Sequence, residues 1–166
     1  QEVQQGADAM LLSQNAKLVM SMPEPDVVVL GNKTALAGAL QNLIHNALTV
    51  KPNNAVIHLA ACRQTEDLDS VSLSVTDNGP GIETKHLKHI FEPFFTTKSN
   101  GTGLGLAVVR SVAQSHQGDI EVTNLKEGGA CFTMKLPVIN VNSSHQIPKS
   151  HHTTQPQSFC ANAAGR

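Results

Sequence analysis

The chain has 166 residues, of which 40% are hydrophobic and 15% charged, and its formal net charge is −1. This length suits one domain with a sizeable core, and the balanced charge excludes the basic field that attracts nucleic acids or acidic membranes. Cys62, Cys131 and Cys160 are too widely spaced to predict a disulfide framework or a zinc site, and no apolar run has membrane-spanning length, so we expect a cytoplasmic chain.

Helical and strand-like patterns alternate in the first half of the chain. The predicted elements are a helix over residues 2–14, strands over 16–22 and 27–30, a helix over 33–50, and strands over 55–61 and 71–76. Asn32 stands where a helix N-cap belongs, and Pro-Glu-Pro-Asp at 23–26 favours a turn between the first two strands. The last two strands are predicted to form a hairpin.

The second half predicts less regular structure, followed by a helix and a final hairpin. The predicted segments are one or two helical turns within 82–90, a loop over 91–100, a helix over 104–116, and strands over 119–124 and 130–138. Residues 139–166 are polar and lack periodicity, so a disordered tail is expected after an ordered domain at 1–138. The pattern predicts an α/β two-layer sandwich in which helices cover one face of a mixed sheet.

Two asparagines stand out in the helix predicted over 33–50. Asn42 and Asn46 are four residues apart, so they lie on one face, although asparagine is a mediocre helix former. One interpretation is that both are solvated or satisfy nearby backbone groups. The other is that their amide oxygens are neutral ligands suited to a Mg²⁺ ion carried by nucleotide phosphates.

A second candidate site follows the strand at 71–76, where the chain reads Asp77-Asn78-Gly79-Pro80-Gly81. This sequence is compatible with an ordinary tight turn. A carboxylate at the end of a strand is also placed to accept a hydrogen bond from an exocyclic amine such as that of adenine. The glycines beside it would let a flat ring lie against the backbone.

Three of the five phenylalanines, Phe91, Phe94 and Phe95, fall in the predicted loop. They either pin the loop to the core or act as a latch for a mobile cover over a site. Lys98 is either an ordinary solvated lysine or a point charge that reaches a terminal phosphate.

Glycine occupies every second position at the start of the helix predicted over 104–116, in Gly101-Thr102-Gly103-Leu104-Gly105-Leu106. A flexible loop before a helix explains this pattern, and so does a backbone that approaches a phosphate at a helix N-terminus. Neither the Rossmann nor the P-loop spacing is present.

These motifs together resemble the N, G1, F and G2 boxes of the catalytic ATP-binding domain of bacterial sensor histidine kinases. That family belongs to the ATPase superfamily that includes gyrase, Hsp90 and MutL. The run "FEPFFTTK" is most similar to the NtrB-like class, whose partners are σ54-dependent response regulators and which includes flagellar regulatory kinases. The boxes, in chain order, are Asn42 to Asn46, Asp77-x-Gly79-x-Gly81, Phe91 to Phe95, and Gly101-x-Gly103-x-Gly105.

The resemblance implies a role for each matching residue. Asn46 would bind Mg²⁺, Asn42 would lie near the phosphates, and Asp77 would bind the adenine amine. Asn42 and Lys98 are the expected catalytic residues. The remaining residues expected at the nucleotide are Gly79, Gly81, Ile82 and Phe95 near the ring, Gly101, Thr102, Gly103, Leu104, Gly105 and Leu106 around the triphosphate, and Thr133 at the adenine.

The resemblance also implies the reaction. Hydrolytic relatives have a glutamate where Asn42 stands, and an amide cannot act as a general base, so we expect phosphoryl transfer rather than hydrolysis. None of the eight histidines has the expected acceptor context, so we expect the acceptor in a dimerisation domain preceding Gln1. The chain alone should then bind ATP without phosphorylating itself. The alternatives are an ATP-hydrolysing conformational clamp of the gyrase, Hsp90 or MutL type, and a non-catalytic nucleotide-sensing docking module.

Overall fold

A computed structural model describes residues 2–22, 27–64, 70–99 and 101–139. Its elements are α1 (Glu2–Ser13), β1 (Lys17–Ser21), α2 (Lys33–Val50), β2 (Val56–Gln64), β3 (Ser70–Asp77), α3 (Gly105–Ser115), β4 (Asp119–Asn124) and β5 (Ala130–Pro137). None of the helices in these ranges is long and apolar enough to cross a membrane.

The five strands form one sheet in the order β1-β2-β3-β5-β4. The β1–β2 pair is parallel and the other three pairs are antiparallel, so the sheet is mixed, as predicted. Alternate residues of the strands, such as Val75, Phe132 and Met134, are buried on one face. The core is completed by apolar side chains of the helices, including Leu43 and Val109. The predicted fold class is confirmed.

The helices are tied together at the start of α2. Asn32 caps this helix as predicted, because its Oδ1 accepts a hydrogen bond from the Ala35 N–H at 3.0 Å. The Asn32 N–H donates to Nε2 of His116 at 2.9 Å, and Nδ1 of the same ring lies 2.7 Å from the Val112 carbonyl. Both contacts are hydrogen bonds when Nδ1 holds the proton. The His116 ring therefore joins the end of α3 to the start of α2.

Some predicted elements differ from the structure. The strand predicted over 27–30 does not form; this segment makes one backbone hydrogen bond, from the Ile139 N–H to the Val28 carbonyl at 2.9 Å, and no ladder within the described residues. Its β-branched residues favour an extended backbone, but extension without a paired neighbour is not a strand. The polar stretch before Phe91 forms successive turns, with one helical bond from the Ile90 N–H to the His86 carbonyl.

Two sequence predictions lie wholly or mainly outside the described residues. These are the turn at 23–26 and the tail, of which only Ile139 is described. Cys62 and Cys131 are free thiols.

Candidate functional site

A cavity of about 700 Å³ opens between α2, the end of β3 and the segment that leads into α3. Sequence segments more than 50 residues apart meet here, since Asn46 of α2 and Lys98 both line it. The expected site residues that line this cavity are Asn42, Asn46, Asp77, Gly81, Ile82, Phe95, Lys98, Gly101, Thr102, Gly103, Gly105 and Leu106. The N-box, G1, F-box and G2 motifs therefore share one site.

One face of α2 forms a wall of the cavity. Asn42, His45, Asn46 and Thr49 all line it. These positions are related by steps of three and four residues, so they form a continuous stripe along the helix. On its opposite side the helix buries Leu43, Ile44 and Leu48 in the core, which fixes the direction in which the stripe faces.

Asp77 ends β3 as a buried carboxylate with 7% of its surface exposed. Its Oδ1 accepts hydrogen bonds from the N–H of Gly79 at 2.8 Å and the N–H of Ala130 at 3.4 Å. Within the described residues, Oδ2 accepts none. Because two backbone donors hold Oδ1, the carboxylate is oriented and its second oxygen is available to a ligand in the cavity.

Residues 94–99 and 101–103, which we call the lid, precede α3, and all of them except Phe94 line the cavity. Phe94 and Gly103 hold it in a loop, with the Phe94 N–H donating to the Gly103 carbonyl at 2.9 Å. Gly103 has φ +68°, and a Cβ there would collide with the Phe94 backbone. Only glycine fits both the conformation and this close approach.

Lys98 connects the lid to α2. Its Nζ donates a hydrogen bond to Oδ1 of Asn46 at 3.1 Å, across 52 residues of sequence. Partial burial lowers the pKa of the Lys98 ammonium from its usual value. The oxygen of Asn46 thus faces a position that a cation already occupies.

The N-terminus of α3 also borders the cavity. Gly105 is the first residue of the helix, and Leu104 at the N-cap position supplies no side-chain capping bond. The first N–H groups of α3 are therefore left without a side-chain cap, and a helix N-terminus in this state attracts anions.

The phenylalanines of the predicted loop divide into two kinds. Phe91 packs edge-on against Phe132 with ring centroids 6.4 Å apart, and Phe95 packs against His86 at 5.4 Å. Phe94 is 75% exposed and has φ +67°. Phe91 and Phe95 therefore pin the segment to the domain, whereas Phe94 does not.

Three expected contact residues do not line the cavity. Thr133 lies on the opposite face of the sheet, because the strand alternates and its neighbours Phe132 and Met134 point into the core. Phe132 and Ala130 line the cavity instead. Gly79 contacts the Asp77 carboxylate through its N–H, and Leu104, at the N-cap position of α3, is exposed. The expected contact of Thr133 with adenine therefore finds no support in the lining of the cavity.

Several lining residues were not predicted. They are His45, Ala47, Thr49, Val50, Glu83, His86, Ile90, Thr96, Thr97, Ser99, Ala130 and Phe132. His45 and Thr49 could have been found from their helical spacing to Asn42 and Asn46. Nothing local in the sequence indicates that Ala130 would meet Asp77.

The mixed sheet, its helices and the cavity define a class of ATPase domain. Residues 31–140 match the family model of the histidine kinase-, DNA gyrase B- and HSP90-like ATPases, and the chain belongs to this family. Its mixed five-stranded α+β fold is that of histidine kinase catalytic domains. It resembles the nucleotide-free catalytic domain of histidine kinase ThkA, with a TM-score of 0.73 and 29% identity over 82% of this chain and 89% of that one.

Other similar proteins are sensor kinases. The sensor histidine kinase ZraS of Escherichia coli O157:H7 is 46% identical over 103 residues, which is 62% of this chain and 22% of ZraS. Sporulation kinase B of Bacillus subtilis is 35% identical over 69% of this chain and 26% of that protein. Full-length ShkA in complex with AMPPNP has a TM-score of 0.69 and 26% identity over 82% of this chain and 29% of ShkA. The chain spans about a quarter of the length of ZraS and of sporulation kinase B.

Proposed function

We propose that the chain binds Mg·ATP in the cavity and provides the γ-phosphoryl group to a histidine outside residues 1–166. One observation carries this proposal: an oriented carboxylate, a pair of amides, a lysine and an open helix N-terminus all border the same cavity. These groups match the successive parts of the ligand, which are an amine-bearing base, a metal ion and a triphosphate.

The base end of the site is Asp77. Its Oδ1 is held by two backbone N–H groups, so Oδ2 would accept a hydrogen bond from the exocyclic amine of adenine. Ile82 and Phe132 also line the cavity and supply apolar surface for the flat ring. A base without this amine would leave a buried carboxylate without a donor.

The phosphate end is formed by the glycine run and the start of α3. The backbone of Gly101, Gly103 and Gly105 lines the cavity, and the helix N-terminus favours negative charge there. Lys98 supports the same role, because its ammonium already lies in the cavity at 3.1 Å from Asn46.

The site fits magnesium in one particular way. Within the described residues no group of three or more His, Cys, Asp or Glu side chains could hold a metal ion, so this part of the chain offers no all-protein metal cage. Asn46 supplies a neutral amide oxygen that already faces the Lys98 ammonium, and Mg²⁺ commonly takes one or two protein oxygens together with substrate phosphates. Asn46 would hold the magnesium ion, and the ion would supply positive charge that neutralises the phosphates.

The residue at position 42 favours transfer of the ATP γ-phosphoryl group to a histidine over hydrolysis of ATP by water. Asn42 lines the cavity but its amide cannot take a proton from water. Glu83 is exposed and paired with Lys85 at 2.7 Å, which lowers the pKa of its carboxyl and leaves it a weak base. Catalysis would therefore rest on orientation and charge neutralisation.

We further propose that the acceptor histidine lies in a dimerisation domain of the parent protein and that a response regulator receives the phosphoryl group. A structure of ThkA in complex with the response regulator TrrA supports such a partnership by analogy. The proposal includes the NtrB-like class and a σ54-dependent regulator, on the strength of the run "FEPFFTTK".

Labelled ATP tests the proposal. The chain alone should retain nucleotide yet acquire no phosphohistidine, and a separately supplied acceptor domain of the parent should become labelled on histidine. Steady-state phosphate release by the chain alone would favour the hydrolytic clamp. ATP binding without labelling of the acceptor would favour the nucleotide-sensing module.

A further inference from the structure

Asn124, the last residue of β4, does not itself line the cavity, but its side chain is hydrogen-bonded to Ile82, which does. Its Oδ1 accepts a hydrogen bond from the Ile82 N–H at 2.9 Å, and its Nδ2 donates to the Ile82 carbonyl at 2.6 Å. The side-chain amide thus makes the two bonds that a paired residue makes in an antiparallel sheet. The clamp joins the loop after β3 to an edge strand.

The loop held in this way is the wall of the base end. Ile82 and Gly81 both line the cavity, and Gly81 has φ +79°. A Cβ on Gly81 would lie 3.0 Å from Asn124 Oδ1 and 3.3 Å from the Gly129 carbonyl, so loop and hairpin are in close contact. Pro80 has no N–H to donate, and the backbone bonds described for residues 80–82 are those to Asn124.

The same hairpin holds the other end of the loop. Asn124 is directly opposite Ala130 in the β4–β5 register. The Ala130 N–H donates to Oδ1 of Asp77, while Asn124 holds Ile82. One rung of the sheet therefore sets the position of the carboxylate and of the wall beside it.

We infer that Asn124 is a positioning residue for the nucleotide base. This inference rests on the proposed function, because it assigns the base end of the cavity to adenine. By fixing Ile82 relative to Asp77, Asn124 sets the width of the slot into which the ring fits. Asn124 does not line the cavity and its side chain bonds only to Ile82 among the described residues, so we expect its effect to be confined to ligands that carry a base.

The test compares ATP with inorganic tripolyphosphate, which has the phosphates without the base. Dissociation constants for both ligands with Mg²⁺ are measured for the wild-type chain, Asn124→Ala, Asn124→Asp and the control Asn53→Ala, an exposed asparagine outside the cavity. We expect Asn124→Ala to weaken ATP about three- to tenfold, since two solvent-accessible hydrogen bonds are lost. Asn124→Asp should lose at least as much, because its carboxylate repels the Ile82 carbonyl.

The ratio of the two affinities separates positioning from a general loss of structure. Tripolyphosphate binding should be the same for all four proteins, and Asn53→Ala should match the wild type with both ligands. If the ratio of the ATP and tripolyphosphate dissociation constants is the same in Asn124→Ala as in the wild type, the inference is overturned, whether neither affinity changes or both fall equally. A wild-type chain that does not prefer ATP would instead contradict the proposed function.

Discussion

Replacement of Asp77 by asparagine is the sharpest perturbation of the base end. In Asp77 the two N–H donors of Gly79 and Ala130 take Oδ1, and Oδ2 accepts no hydrogen bond from the described residues. An asparagine keeps one carbonyl oxygen and gains an NH₂ group. If the oxygen stays with the backbone donors, the NH₂ faces the amine of adenine; if the amide flips, two backbone donors face an NH₂. Either orientation sets donor against donor.

The magnitude follows from the charge-assisted hydrogen bond that is lost. Such a bond to a buried carboxylate is worth about 1–3 kcal/mol, so the ATP dissociation constant should rise about 5- to 140-fold. Asp77 is 7% exposed, so water cannot readily replace the missing acceptor. Shape and volume hardly change, and the phosphate end should be unaffected.

Isothermal titration of Mg·ATP against the wild type and Asp77→Asn measures this effect. Asp119→Asn is the matched control, because its Oδ1 bond to the Ile120 N–H lies outside the cavity and survives in an amide. Thermal unfolding without nucleotide shows whether each variant is folded. If folded Asp77→Asn binds ATP as tightly as the control does, Asp77 does not recognise the base.

Three further predictions address other parts of the structure. Lys98→Met should weaken Mg·ATP binding about tenfold in the same titration, since it removes a point charge next to the phosphates. Lys98→Arg keeps the charge and should retain most of the affinity. Equal affinities of the wild type and Lys98→Met would exclude a role of Lys98 in binding the phosphates. Gly103→Ala should impair ATP binding, because its φ of +68° and the nearby Phe94 backbone exclude a Cβ. The control is Gly38→Ala in α2, where a Cβ would meet no atom within 4 Å. This variant should bind ATP normally and gain about 0.5–1 kcal/mol of stability. His116→Phe should lower the free energy of unfolding, measured in urea, by about 1–3 kcal/mol, because the Asn32 N–H loses its acceptor. An unchanged urea midpoint would show that the hydrogen bond between α2 and α3 does not stabilise the domain.

Much of the fold could be predicted from local sequence pattern. The helical spacing of apolar residues and the Asn32 cap predicted α2, and alternation predicted the two hairpins. The segment at 27–30 shows the limit of this reasoning, since its residues favour extension but pairing depends on a neighbour elsewhere in the chain. The alternation of β5 is also a local pattern, and with Phe132 and Met134 buried it places Thr133 on the outer face of the sheet.

The sequence by itself determined which residues could serve a nucleotide, because amide spacing on a helix, a carboxylate after a strand and alternate glycines are all local patterns. The tertiary structure alone decided how they are held: Lys98 against Asn46, Ala130 against Asp77, and Asn124 around Ile82. Each of these contacts joins residues more than 40 positions apart. Their geometry depends on strand register and helix packing, which no short window of sequence contains.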